Sequence, residues 1–236
     1  MKAVSVFGIA AGCLLGLFDA GKTLSESGTV SASFDYLNAF SLSFTIDPLA
    51  AFFLVAIFFV SFLAAIYGFH YMNKPEKAQQ TAVNFFFFSI LIVSMALVVC
   101  AGNMITFMLA WEIMSLSSFF LVVYDHQKPE NRKAGYLYFV FSHVGAMFIF
   151  SAFGLIYGFS GSFGFESAAA LPESIKIIVF VLAFIGFGSK AGIFPFLVWL
   201  PHPHPAAPLH ISPSSSGVML KTGIYGIIGM TSVLGP

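Results

Sequence analysis

Seven long apolar runs separated by short polar breaks organise the chain. A helix that crosses a bilayer needs about 20 apolar residues. On that ruler, helices are expected near residues 3–18, 47–72, 83–101, 104–124, 134–159, 175–200 and 214–234. The breaks at 19–45, 73–81, 102–103, 125–133, 160–174 and 201–213 are the expected loops. The first run, from Lys2 to Phe18, has the shape of a secretory leader, but no small-x-small cleavage site precedes Asp19. A retained helix is therefore expected. Within the first loop, Phe40, Leu42, Phe44 and Ile46 alternate with Ser41, Ser43, Thr45 and Asp47. A period of two predicts a short half-buried strand at the membrane surface. Asp47 followed by Pro48 reads as a helix N-cap with proline in the first turn, not as a proton carrier.

The loops also orient the chain. Lys2, Lys74, Lys77, Lys128, Arg132 and Lys133 fall on one side, against Lys22 and Lys176 on the other. By the positive-inside rule, the N-terminus and the loops at 73–81, 125–133 and 201–213 are cytoplasmic, and the strand at 40–46 faces outward. The cell inner (cytoplasmic) membrane is the expected location.

Composition agrees with that picture. Of the 236 residues, 58% are hydrophobic and 8% charged, and mean hydropathy is +0.93. A soluble surface needs roughly 25% charged residues, so lipid must solvate what water would not, including much of the side-chain surface of 31 phenylalanines. The formal net charge is zero, which gives no footing for nucleic acid. Cys13 and Cys100 lie apart in apolar runs, with no disulfide framework and no cluster-ligand spacing. They read as small buried hydrophobes. No flavin, nucleotide or cluster motif occurs, so no cofactor is expected in this chain.

Three charges fall well inside expected spans: Glu112, Lys190 and Lys221. Each costs about 2.5–3.5 kcal/mol at mid-bilayer on insertion scales, so they should face protein or water and find partners. A structural ion pair with a spare lysine is one reading; a relay of titratable groups is the sharper one. Ser115 lies one turn from Glu112 on the same helix face. Around Lys190, Gly186, Gly188, Gly192 and Pro195 weaken the helix on both sides, and broken spanning helices are tolerated where the freed backbone lines a cavity. Gly188, Gly192 and Pro195 are the expected helix-break positions. Lys221 stands among Gly217, Gly223 and Gly226, which permit close packing and a hydrated crevice. His143 sits mid-helix, as a hydrogen-bonded core residue or a further relay group. His202, His204 and His210 lie in the Pro-rich loop at 201–213, where intervening prolines and the lack of a carboxylate or cysteine disfavour a metal. His204 and His210 are candidates for proton entry.

The stretch Trp111-Glu112-Ile113-Met114-Ser115 resembles the glutamate helix of the antiporter-like subunits of complex I and Mrp antiporters. Gly186 to Pro195, continuing through Trp199 to Pro201, resembles their broken lysine helix. His204-Pro205-Ala206-Ala207-Pro208, followed by Ser216-Gly217-Val218-Met219-Leu220-Lys221-Thr222-Gly223, is similar to the large membrane subunit of formate-hydrogenlyase and hydrogenase-4 type complexes, and His143 suits that branch. The resemblance covers roughly residues 46–230. It implies an all-α membrane protein of about seven transmembrane helices with a short β element in the first outward loop. The implied organisation is an N-terminal helix and outward loop at 1–46, leading helices at 47–101, and one five-helix repeat at 102–236. It also implies that a Glu112–Lys190 pair gates protons and that Lys221 passes them toward the membrane centre. The implied partners are other membrane subunits of a hydrogenase or complex I-like assembly.

Two departures stand out. The family carries two inverted five-helix repeats, whereas this sequence stops at Pro236, soon after the first, so a fragment is expected. Ser212-Pro213-Ser214-Ser215-Ser216 also replaces an apolar helix start. Three functions remain open: proton conduction inside a redox-driven complex, a cation/proton antiporter subunit with no redox partner, and a non-conducting structural remnant.

Overall fold

The computed structural model describes residues 2–26, 28–36, 40–72, 78–196 and 208–235. Among the described residues, seven helices are long and apolar enough to cross a membrane. They are α1 (Lys2–Glu26), α2 (Pro48–Tyr71), α3 (Ala78–Val99), α4 (Met104–Val122), α5 (Pro129–Ser160), α6 (Glu173–Ala191) and α7 (Ser212–Leu234). Strands β1 (Val30–Tyr36) and β2 (Phe40–Ile46) form an antiparallel pair between α1 and α2, with Val30 opposite Ile46 and Phe34 opposite Leu42.

The expected strand at 40–46 and the cap at Asp47 are both present: Asp47 Oδ1 accepts the amide of Ala50 at 2.7 Å. Several boundaries move. α1 continues eight residues past Phe18, because Thr23 bonds back to the Asp19 carbonyl (3.1 Å) and Lys22 faces Glu26 one turn on (4.0 Å). Polar side chains on an exposed helix end need no apolar period. The remainder of the expected first loop holds β1, whose own alternation of Val30, Ala32, Phe34 and Tyr36 carries the same period of two. α5 starts at Pro129 rather than 134, since proline suits a first helical turn and the charged Glu130, Arg132 and Lys133 are exposed at its beginning.

The expected sixth helix, 175–200, ends at Ala191. Gly192 takes the left-handed conformation (φ 70°), and the Gly188 carbonyl accepts from both Gly192 and Ile193. Gly192 is thus the break itself, Gly188 supplies the carbonyl that closes it, and Pro195 follows outside the helix. α7 begins within the serine-rich segment: Ser215 and Ser216 hydroxyls both donate to the Ser212 carbonyl, and a π-helical turn spans Ser215–Met219.

α3 to α7 share one apolar core. Phe107 stacks on Trp111 (5.4 Å between centroids), and Phe187 meets both edge-on. Small residues allow the helices to touch. A Cβ added at Gly186 would lie 2.6 Å from the Gly145 carbonyl oxygen of α5, and one at Gly223 would lie 2.7 Å from the Phe187 carbonyl oxygen of α6. Outward-facing Phe7, Leu15, Phe52, Phe86, Met147 and Ile177 give the bundle an apolar exterior.

At the hairpin end, β2 also bonds to the turn between α3 and α4. Thr45 N–H donates to the Cys100 carbonyl and Gly102 N–H to the Ser43 carbonyl, each at 2.7 Å. Asn103 caps α4 by accepting from Thr106 N–H (2.8 Å), and its amide donates to the Ser41 carbonyl (2.7 Å). Met104 N–H donates to the Phe163 carbonyl (2.9 Å), tying in the α5–α6 connection.

Candidate functional site

α4 carries Trp111, Glu112, Ser115 and Ser118; the last two point inward, and Glu112 lies on the flank nearer α5. α5 adds Tyr138 and His143, and α6 brings Lys190 in its last turn. Lys190 is only 3% exposed. Its Nζ donates to the Tyr138 hydroxyl at 2.7 Å and to Ser115 Oγ at 3.3 Å. The ammonium also lies 4.9 Å from the Tyr138 ring centre and 5.9 Å from that of Trp111, within range of cation–π attraction. Ser118 Oγ hydrogen-bonds to the Tyr138 hydroxyl and to the carbonyls of Met114 (2.8 Å) and Ser115 (2.9 Å). The lysine therefore sits in a cage of neutral oxygens and aromatic faces.

Glu112 does not pair directly with Lys190; its ion-pair partner is His143, with Oε2 to Nε2 at 3.4 Å. His143 Nδ1 lies 2.9 Å from the Phe139 carbonyl. A carbonyl only accepts, so Nδ1 carries a hydrogen. If the ring were neutral, Nε2 would then present a lone pair to the carboxylate. A proton must therefore reside on Nε2 or on Glu112 for the contact to be favourable. Both side chains are about 30% exposed, on a face that also shows Leu109, Ile113, Val144 and Met147. Ser115, one turn along α4 from Glu112, is the α4 hydroxyl bonded to Lys190.

The remaining expected residues separate. Lys221 stands on the exposed face of α7 with Ile224 and Ile228, apart from the Lys190 cage. His210 is not in an open loop: it is wholly buried, its Nε2 bonded to Asn84 Oδ1 at 2.9 Å and its ring set against Phe85 and Phe88. Gly68 of α2 makes room for it, since a Cβ there would lie 2.9 Å from the imidazole. Burial pushes the His210 imidazole down to about 4. His202 and His204 lie outside the described residues. Among the described residues, no group of three His, Cys, Asp or Glu side chains could hold a metal. Tyr138 was not among the expected site residues. Its signal was a tyrosine in an apolar helix, whose hydroxyl needs a polar partner when buried.

Comparison with known proteins gives a consistent picture. Residues 101–235 match the family model described as NADH:quinone oxidoreductase/Mrp antiporter, transmembrane, and residues 33–87 match that of the N-terminus of NADH-ubiquinone oxidoreductase (complex I) chain 5. Hydrogenase-4 component B of Escherichia coli (strain K12) is 41% identical over 189 residues, covering 79% of this chain and 28% of that protein. A putative antiporter subunit of Staphylococcus saprophyticus is 29% identical over 202 residues, covering 83% of this chain and 25% of its own length. Among solved structures, a chain of the membrane-bound sulfane sulfur reductase, an archaeal respiratory membrane complex, superposes with a TM-score of 0.83 at 26% identity, over all of this chain and 37% of that one. A chain of the Mrp complex from Dietzia shares the fold, with a TM-score of 0.81 at 18% identity, over 99% of this chain and 44% of that one. The present chain thus spans between a quarter and a half of the length of these proteins.

Proposed function

Because the chain belongs to the NADH:quinone oxidoreductase/Mrp antiporter family of membrane subunits, we propose that it conducts protons within a redox-driven hydrogenase or NADH:quinone oxidoreductase-like complex of a bacterial inner membrane. The electrons would travel on partner subunits, and other membrane subunits of that assembly would flank this one. The observation that carries the reading is the burial of Lys190 among neutral partners, one hydroxyl away from the turn that bears Glu112. A lysine so placed binds and releases a proton without leaving an ion pair behind. Glu112 and His143 share a proton at the flank, Ser115 connects them to Lys190, and Lys221 takes the next position along α7. Proton entry from the cytoplasmic side is assigned to His204 and its neighbourhood; His210 is sealed from water.

The test is proton uptake into liposomes containing the complex of which this chain forms part. Lys190→Ala should abolish flux while the complex still assembles. Flux equal to wild type would sink the proposal and favour a purely structural role.

A second reading, a cation/proton antiporter subunit without redox partners, draws on the likeness to antiporter subunits. It predicts that flux follows a sodium or potassium gradient and does not require an electron donor.

A further inference from the structure

We propose that Phe107, Trp111 and Phe187 form an aromatic barrier between the Lys190 cage and a cavity open at the hairpin end of the bundle, so that Lys190 is reached from the opposite end alone. The cavity has a volume of about 250 Å³. About 10–15 Å³ is enough for one water, so this space admits several. Thr45, Asp47, Gly102 and Ser232 give it a polar rim. These belong to the end of β2, the cap of α2, the α3–α4 turn and the last turn of α7. Phe107, Phe153, Phe165 and Phe187 give it an apolar floor. Position along the helices decides where that floor stands. Phe107 precedes Trp111 by one turn of α4, and Phe187 precedes Lys190 by about one turn of α6. Both helices start at the hairpin end, where Met104 N–H meets the carbonyl of Phe163 in the α5–α6 connection. The floor therefore lies between the rim and the lysine.

Ring contacts close the layer. Phe107 stacks on Trp111, Phe187 meets both edge-on, and Phe153 abuts Phe107 with 5.7 Å between centroids. All four side chains are buried. Gly226 of α7 leaves room for the Phe187 ring, since a Cβ there would fall 2.5 Å from it. Trp111 joins the layer to the cage: its ring lies 5.9 Å from Lys190 Nζ, and its indole N–H finds no acceptor among the described residues. A proton moves along hydrogen bonds and water, and a constriction of packed apolar rings excludes both. The ammonium thus stands one aromatic layer from a wet cavity without exchanging with it.

The barrier is tested without reference to transport. The membrane complex containing this chain, with Cys13 and Cys100 replaced by alanine, is prepared in membrane vesicles of each orientation, and single cysteines are exposed to silver ion from outside. Capture is scored as lost maleimide labelling after denaturation. Ser33→Cys, on exposed β1, identifies the hairpin side. Gly229→Cys lines the cavity with open space at its Cβ and should be captured from that side. Lys190→Cys should be spared from that side, and this protection should be lost when Phe187→Ala is added. Phe88→Leu, which alters a buried ring outside the layer, should leave the protection in place. If Phe187→Ala fails to assemble, Phe187→Leu leaves a smaller void and should give a partial loss. The barrier is overturned by any of three results: no capture at Gly229→Cys, capture at Lys190→Cys with the rings intact, or protection that persists in the Phe187 variant that assembles. Equal loss in Phe88→Leu overturns it too, since general loosening would then suffice.

A second measurement rests on reading Lys190 as the proton-carrying group. In liposomes without an electron donor, Phe187→Ala should let an imposed pH gradient collapse, and Phe187→Ala combined with Lys190→Ala should hold it. A layer that opens to silver ion yet leaks no protons would overturn the transport reading and leave the barrier standing.

Discussion

His143 donates through Nδ1 to the carbonyl of Phe139, and that bond decides what Glu112 can do. With Nδ1 occupied, Nε2 is the ring atom that faces the carboxylate, at 3.4 Å, on a face where both are part-exposed among apolar side chains. Replacing Glu112 by Gln preserves size and leaves an amide that can donate to a neutral Nε2, so assembly should be unaffected. On the proposed relay the variant site no longer exchanges a proton, and proton-coupled turnover should fall by about tenfold or more. Reconstituted turnover assays check this, and normal coupling in Glu112→Gln would remove the residue from the path. Glu112 and Lys190 were legible as sequence positions because charges within apolar runs are conspicuous. Their partners were not. Which of His143 or Lys190 faces Glu112 depends on how α4 and α5 are rotated about their axes, and spacing along a single helix does not carry that.

Among the elements, the packing of α6 depends on absent side chains. Gly186 lets it meet the α5 backbone, and Gly223 lets α7 meet it from the other side. Gly223→Val would push a branched side chain against the Phe187 carbonyl and Ala191 amide, neither of which can give way. A loss of about 1–3 kcal/mol is expected from such overpacking, measurable as earlier unfolding of the detergent-solubilised protein, while Gly229→Ala on the same helix, with open space at its Cβ, should be nearly neutral. Element identity was largely readable: seven apolar runs gave seven spans, and the alternation at 40–46 gave β2. The errors lie where polarity and helicity part company. Residues 19–26 are polar and helical, and residues 193–200 are apolar enough to prolong a span although Gly192 has already ended α6. β1 was missed because Asp35 and the serines around it made a polar loop the simpler reading, although its alternation matches that of β2.

For the molecule as a whole, His210 is the tie that binds the start of α7 to α2 and α3. It meets Gly68 on one and Asn84, Phe85 and Phe88 on the other. An unfolded chain binds a proton at this imidazole below about 6.5, whereas in the fold burial lowers the value to about 4. Between those limits the unfolded state holds more protons. The contribution of His210 is therefore full above about pH 6.5 and is lost as pH falls toward 4, at on the order of 1 kcal/mol per pH unit. Unfolding followed across that range should show the dependence, and His210→Gln should flatten it. An identical acid dependence in His210→Gln would assign the effect elsewhere.

The strand contacts around the α3–α4 turn bear on how the protein sits in lipid. α4 has 19 residues, a length of about 28 Å at 1.5 Å per residue, slightly less than the roughly 30 Å of a hydrocarbon core. Its first residues must then lie near headgroup depth or below, where bare peptide groups would be costly. β2, Asn103 and the Phe163 carbonyl already meet several of the peptide groups there. The chain thus supplies its own seal against hydrophobic mismatch, and a thicker bilayer can close over that end without stripping water from an unmet bond.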